Sequence, residues 1–572
     1  MGVDYKYPRT TPTPRWSGNK PKAWSWLFGI LVASGIYLIT PLCWGIAIDA
    51  AITLSRGSPL SASLWARSIK SPWIRKIFWT YATIEVPFSI WYQLASYRVQ
   101  RRVRHKPIDR ALLRQLMLQC CAVGTEHFDQ PAQVAAKADA LDQAAGISPQ
   151  TPIVGHNGTA AAAAAAQSQN KPSMRRAPPL FPAGTRFDQT TEEQAARLRA
   201  RFSNWFFCSS MDEVQRGNIL EWLAWALLES KVEEIERDEE AMELLNDCID
   251  AMETRLRWNF PAGKNKAVTC VRLSIDPVRV MSRPLGFYLL TNTYTFLVEQ
   301  FIRRVHGVQK LRFGRTDFLI VPPKPRAPGD DPEALPILFL HGLGIGIGQY
   351  RFFLRHLVRH KPGAIIVVQP HISAQLFDAN FLRPPLRDEL TRDVRACIEA
   401  TRIGYPPSTS PSASPSYTII SHSNGSMVHG WMLRAMPGWF KRNVLVDPVC
   451  FRMWEGAVCN AFVYRSWSSA IEVLLGYIVS REIGVAWTIG RFFRWTDMTL
   501  WAHEFEAASD DHVHVVLAEQ DMLVDVPGAV DYLSNSGVPH TVMKGYQHGQ
   551  PLCVESEGLQ TVLRHAKIKS AI

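Results

Sequence analysis

From Phe313 onward, short apolar runs alternate with stretches of helical periodicity. The apolar runs are Asp317–Val321, Ile337–Leu340, Ala364–Gln369, Tyr417–Ser421, Asn443–Val446, His512–Ala518 and His540–Met543. Buried apolar strands separated by helices predict an α/β domain with a mostly parallel sheet covered on both faces. A Ser/Pro stretch, Pro406–Ser416, interrupts this layout as a loop insertion before one of the strands.

The N-terminal pattern is different. Ala23–Ile48 carries no charged residue across 26 positions, with Trp24, Trp26 and Trp44 near its ends. About 20 apolar residues suffice to span a bilayer as a helix, so a transmembrane helix is expected rather than a cleaved signal peptide. A second stretch, Ile77–Tyr97, contains Glu85 and Pro87. An ionisable residue inside a span is costly and usually faces protein. This stretch reads as a second span or as an interfacial or re-entrant helix.

Between these regions, residues 128–186 have the composition of a disordered linker. Helices are expected to resume at the capping patterns Thr190-x-x-Glu193 and Ser210-x-x-Glu213, and to run amphipathically from Met211 to about Leu256. Trp222 and Trp225 share one face there and read as core or interface residues rather than a site. Leu285–Val298 is apolar but studded with Thr291, Asn292, Thr293 and Thr295. It is short for a span and is expected to pack on the domain or lie at a membrane interface. The expected organisation is a membrane anchor over 1–115, a linker over 128–186, a helical region over 187–310 and an α/β domain over 313–572.

Charge sharpens the membrane reading. The chain of 572 residues holds 63 Lys/Arg and 51 Asp/Glu, but 17 of the bases and only 4 of the acids fall in residues 1–114. The remainder is close to neutral, unlike a nucleic-acid binder, whereas basic flanks around apolar helices suit a membrane protein with both ends cytosolic. The ten cysteines show no metal-ligand spacing and suit a reducing compartment.

Candidate chemistry lies at the strand ends. Ser421-His422-Ser423-Asn424-Gly425 follows an apolar run and precedes a helical pattern. An elbow nucleophile needs small residues two positions before and after it. Ser423 has them in Ser421 and Gly425, so it is the candidate nucleophile. Its base and orienting acid should follow in the order acid, then histidine. Asp521, just beyond the run His512–Ala518, is the candidate acid, with Asp525 and Asp447 as competitors. His548, in a Gly-bracketed loop after His540–Met543, is the candidate base. An oxyanion needs two backbone donors. The amides of Asn424 and Leu343 are the candidates, the latter in the glycine-rich loop His341-Gly342-Leu343-Gly344. His341 is expected to shape that loop.

With "FLHGLG", "SHSNG", "AEQDMLV" and "GYQHG" in hand, roughly residues 313–565 resemble the α/β-hydrolase superfamily and its lipase- and esterase-like serine members. The resemblance implies that fold, a helical cap at about 450–510, and acyl transfer through Ser423, His548 and Asp521. The cap segment is rich in aromatic residues, suggesting an apolar lid over an acyl pocket or an ordinary cap core. Arg481, Arg491 and Arg494 are candidates for meeting anionic head groups. The sequence expectation is therefore a membrane-anchored serine hydrolase acting on an ester of a lipid or other apolar acyl group, with membrane lipids as partners and no metal, organic cofactor or nucleic acid. An acyltransferase with the same triad and a non-catalytic membrane-tethered interaction protein are the alternatives. Asn424-Gly425-Ser426 is also a glycosylation sequon inside the elbow, where a glycan would block the oxyanion site. This favours a cytosolic catalytic domain, for instance on the endoplasmic reticulum or a lipid droplet.

Overall fold

The computed structural model describes residues 23–109, 190–326, 328–406, 414–506 and 509–570, with scattered positions between 112 and 120. The linker expected over 128–186, the basic residues before Ala23 and the middle of the Pro406–Ser416 loop lie outside the described residues.

The first apolar segment forms α1 (Ala23–Tyr37) and α2 (Ile39–Ser55), which run on as one helix, Trp24–Ser55. At 32 residues it is longer than the expected Ala23–Ile48, and it is long and apolar enough to cross a membrane. The second segment forms α3 (Pro72–Arg98), capped by Ser71 with Pro72 in the first turn. Among the described residues α3 does not reach the apolarity of a span. It packs on α2 through Cys43, Ile46 and Ala82. Glu85, the charge that made this segment doubtful, is fully buried and bonded to Thr40 Oγ1 (2.5 Å) and Tyr81 Oη (2.9 Å).

The region after the linker is more broken than its sequence pattern suggests. Helix α4 (Glu192–Phe202) starts one residue late, with the capping box made by Thr191 and Gln194. Ser210 caps only a single turn, Met211–Glu213. The expected long helix is split into α5 (Arg216–Leu228) and α6 (Glu239–Leu256), separated by a turn and a short helix. Trp222 and Trp225 are buried with Trp205 and Phe202 in one core that also holds Phe451, Trp454, Trp495 and Trp501 from the C-terminal region. Helix α7 (Leu285–His306) then leads into the sheet.

The sheet has eight strands: β1 (Gln309–Phe313), β2 (Thr316–Val321), β3 (Ile337–Leu340), β4 (Ala364–Val368), β5 (Tyr417–His422), β6 (Phe440–Val446), β7 (Val513–Ala518) and β8 (His540–Met543). Their spatial order is β1-β2-β4-β3-β5-β6-β7-β8. β2 runs antiparallel to both neighbours, and β4 through β8 pair in parallel. Side chains alternate between the faces. Ile337 and Phe339 pack beneath α8 (Arg351–Leu357), whereas Leu338 and Leu340 face α9 (Arg387–Thr401) and α10 (Gly425–Ala435).

The cap includes α11 (Ala470–Leu475), which passes through a π-helical turn into α12 (Ile483–Phe492), the two halves bent by 78°. It rests on the N-terminal helix: Trp26 Nε1 donates to the Trp467 carbonyl (3.1 Å), and a Cβ at Gly29 would stand 2.7 Å from the Ala470 Cα. Arg491 is buried and donates to the carbonyls of Gln100, Arg101, Leu273 and Asp276, joining three segments of the chain. Arg494 pairs with Glu229 and Asp497, and Arg481 is buried. These arginines face protein, which corrects the expectation that they meet head groups. Helices α13 (Val526–Asn535) and α14 (Glu557–His565) complete the chain.

Candidate active site

β5 ends at His422 and α10 begins at Gly425, so the chain must reverse within two residues. Ser423 sits at the apex with φ +50, a left-handed conformation disfavoured for a residue with a side chain and typical of strained functional positions. Gly425 makes the turn possible: a Cβ there would lie 2.3 Å from the Leu340 carbonyl oxygen. Serine in place of glycine at 421 leaves the elbow intact because its hydroxyl has a use. Ser421 Oγ bonds His429 Nδ1 (2.8 Å), and His429 Nε2 bonds Asn443 Oδ1 (3.0 Å). The amide oxygen can only accept, so Nε2 carries the proton and Ser421 donates to Nδ1. Burial holds His429 down at about 4, hence neutral.

Ser423 Oγ is 2.9 Å from His548 Nε2, and His548 Nδ1 is 2.6 Å from Asp521 Oδ2. The other Asp521 oxygen accepts from the amides of Leu523 and Val524 (2.7 and 3.1 Å), which fixes the carboxylate. Burial alone would lower the basicity of His548, but the Asp521 carboxylate outweighs it and holds the imidazole well above its usual value. The two competing acids stand elsewhere. Asp525 caps α13 at Gly528 N and pairs with Arg452.

Asp447 has a role the sequence did not disclose. Its oxygens accept from the amides of Ala518 and Gly549, each at 2.7 Å, tying the ends of β6 and β7 to the loop that carries His548. Burial, reinforced by the Asp521 charge, pushes its carboxyl well above the ordinary range.

The loop after β3 passes directly over the elbow. A Cβ at Gly342 would meet Ser423 Cβ and the His422 carbonyl at 2.9 Å. His341 Nδ1 bonds the Gly342 carbonyl (2.9 Å), and its Nε2 accepts from Gln369 N (3.0 Å). With burial holding it at about 4, His341 is a neutral brace. Tyr350 Oη accepts from Gly342 N and donates to His422 Nδ1, both at 2.8 Å, joining the loop to the strand end. The Gln349 side chain accepts from Ile345 N and donates to the Leu343 carbonyl. It fills the space a Cβ at Gly344 (φ +151) would occupy. Leu343 itself packs with Val479, Val485 and Ile489 of the cap. The tryptophans Trp454, Trp495 and Trp501 instead belong to the core shared with α5 and α6, as does Phe493. A cavity of about 500 Å³ lies between α7 and this loop, lined in part by Thr295, Glu299, Arg303, His341 and Gln369. Neither Ser423 nor His548 lines it.

No protein-family model matches the chain, and no curated protein matches it. Among solved structures it is similar to naproxen esterase from Bacillus subtilis, at 14% identity, 48% of this chain, 96% of that one and a TM-score of 0.31. It is also similar to carboxylesterase CesB from Bacillus subtilis (12% identity, 48% and 96% coverage, TM-score 0.31). A third is a membrane phospholipase A described as a bacterial virulence factor (12% identity, 49% and 93% coverage, TM-score 0.33). At such values the likenesses decide nothing by themselves. The strand order, the antiparallel β2 and the left-handed serine between β5 and its helix are those of the α/β-hydrolase fold, which the C-terminal half of this chain adopts.

Proposed function

We propose that this protein is a membrane-anchored serine hydrolase that cleaves a carboxylic ester of a lipid or other apolar acyl substrate. The observation that carries this reading is the chain Ser423 Oγ–His548 Nε2–Asp521 at 2.9 and 2.6 Å, with the serine on a left-handed elbow. A hydroxyl is a weak nucleophile until a base takes its proton. In the proposed reaction Ser423 Oγ attacks the ester carbonyl while His548 Nε2 accepts the proton. Asp521 holds the Nδ1–H tautomer and balances the imidazolium. The amides of Leu343 and Asn424 receive the oxyanion. His548 then returns the proton to the leaving alcohol, and water repeats the sequence to release the acid and restore Ser423.

An apolar acyl group is favoured because Val479, Val485, Ile489 and Phe462 gather around Leu343 on the cap side. Anchoring is supported by the apolar helix Trp24–Ser55, whose bonds to α3 and to the cap suit a retained part of the protein rather than a removed leader. A cytosolic catalytic domain is supported by the basic flanks and by the buried sequon at Asn424.

A fluorophosphonate probe is expected to label the full-length protein at Ser423, and Ser423→Ala to remove the label. Undiminished labelling of that variant would disprove the proposal.

A further inference from the structure

Helix α7 exposes a stripe of large apolar residues. The face turned to the protein carries Tyr288, Thr291, Thr295, Glu299 and Ile302, all buried, with Tyr288 and Ile302 in apolar clusters at its two ends and the threonines between them. The face turned away carries Leu290, Leu297 and Phe301, exposed by 71%, 58% and 58%, together with Val305. Positions 290, 297 and 301 are separated by seven and four residues, so they form one stripe. A helix at a protein–water boundary places such a stripe inward. Here the middle of the inward face is polar, and it is bonded to the loop after β3 and to Ala374. Thr291 Oγ1 donates to the Ala374 carbonyl (2.8 Å), Tyr294 Oη to the Gly348 carbonyl (3.1 Å) and Thr295 Oγ1 to the Ile345 carbonyl (3.1 Å).

The occupant of the outer face is indicated by what adjoins it. The first turn of α7 is held by the anchor: Leu285 N donates to Glu85 Oε2 (2.8 Å) and Gly286 N to Tyr81 Oη (2.9 Å). Helix α3, which supplies both acceptors, exposes its own large apolar residues Ile77, Ile84 and Leu94. At its far end α7 carries Arg303, which pairs with Glu299 (3.5 Å), and the exposed Arg304. An exposed apolar stripe that starts at the anchor and ends in basic residues matches a helix lying in the acyl–headgroup boundary of a bilayer with anionic lipids.

We infer that α7 lies in the membrane interface with Leu290, Leu297 and Phe301 among the lipid acyl chains. Its polar face then holds the Gly344–Gly348 loop at the membrane surface, next to the elbow. The inference rests on the anchored-hydrolase reading for its setting, but its test reads position rather than activity.

The full-length protein is reconstituted in phosphatidylcholine vesicles containing phosphatidylserine, with a nitroxide at Leu297→Cys. The signal of the unsubstituted protein treated in the same way is subtracted. Oxygen, which concentrates in lipid, is expected to relax the label strongly, and a water-soluble nickel chelate weakly. A label at the exposed Asp531→Cys is expected to show the reverse. Collision of the 297 label mainly with the chelate would place it in water and overturn the inference. An immobilised label reached by neither would place it against another protein or a second copy and overturn it equally. Loss of fluorophosphonate reactivity with lipid contact intact would count against the hydrolase reading and not against this one.

Discussion

Two serine–histidine pairs start two residues apart, one from Ser421 on β5 and the other from Ser423 just past its end. Ser423 meets His548 and Asp521, whereas Ser421 meets His429 and Asn443. The two Ser–His distances are nearly the same, 2.9 and 2.8 Å. The differences are charge, backbone and access. Asn443 is a neutral amide and leaves His429 held down by burial, whereas Asp521 is a carboxylate and lifts His548. Ser421 continues the extended strand, whereas Ser423 is turned into a left-handed conformation. The His429 ring is fully buried, while His548 keeps some exposure. The inner pair is a structural fastener and the outer pair has the arrangement of a catalyst. A Ser–His contact alone distinguishes neither.

The strongest way to break this comparison is to remove each hydroxyl in turn. Ser423→Ala is expected to lower ester hydrolysis by about 10⁴-fold or more, with probe labelling abolished. Ser421→Ala should keep its label, and loss of labelling in a folded Ser421→Ala protein would show that the pairs are not separable.

Next is the acid. Asp521→Asn is expected to cost roughly 10³ to 10⁴ in kcat by disturbing the imidazole tautomer. Asn443→Asp should give no second labelled serine, as mass spectrometry of the labelled peptides would read.

The same contrast sets a pH dependence. Only neutral His548 can take the Ser423 proton, so kcat/KM should fall as pH drops through its raised pKa. Asp521→Asn removes the charge that raises it, and the acid limb of the residual activity should move to lower pH. An unmoved limb would mean that another group controls it.

Smaller effects concern the frame. Gly425→Ala places a methyl against the Leu340 carbonyl and is expected to destabilise by about 1–3 kcal/mol, read as a lower midpoint of denaturation. Ser421→Gly restores the common elbow residue but strips the donor from buried His429, at about 1 kcal/mol. A neutral or stabilising outcome would mean that the inner pair fastens nothing.

The sheet was largely legible because its central strands are continuous apolar runs, and β3 and β8 match their predicted limits residue for residue. β1 was missed because Gln309, Lys310 and Arg312 on an exposed edge strand interrupt any apolar signal. Ser423, Asp521 and His548 were legible as residue types in a fixed order at strand ends, and the fold brings them together. The glycines of the elbow and loop and His341 were legible too, but Tyr350 and the bracing role of Asp447 were not. Tyr350 reaches His422 across 72 positions and Asp447 reaches Gly549 across 102, with no local pattern to mark either. The threonines of α7 were seen but looked like interruptions of an apolar helix. They are its inward face, and hydropathy alone cannot tell which side of a helix faces protein.

The bond between Glu85 and α7 has a consequence for how the molecule can be made. Leu285 N donates to a carboxylate that lies 200 residues before it, in the N-terminal helices. Glu85 precedes α7 in the chain and is therefore synthesised before it. A shortened product beginning at residue 190 would lose the partner for the first turn of α7 and carry its oily stripe into water. Such a fragment should aggregate on expression even though it contains every strand of the sheet and the whole Ser423–His548–Asp521 chain.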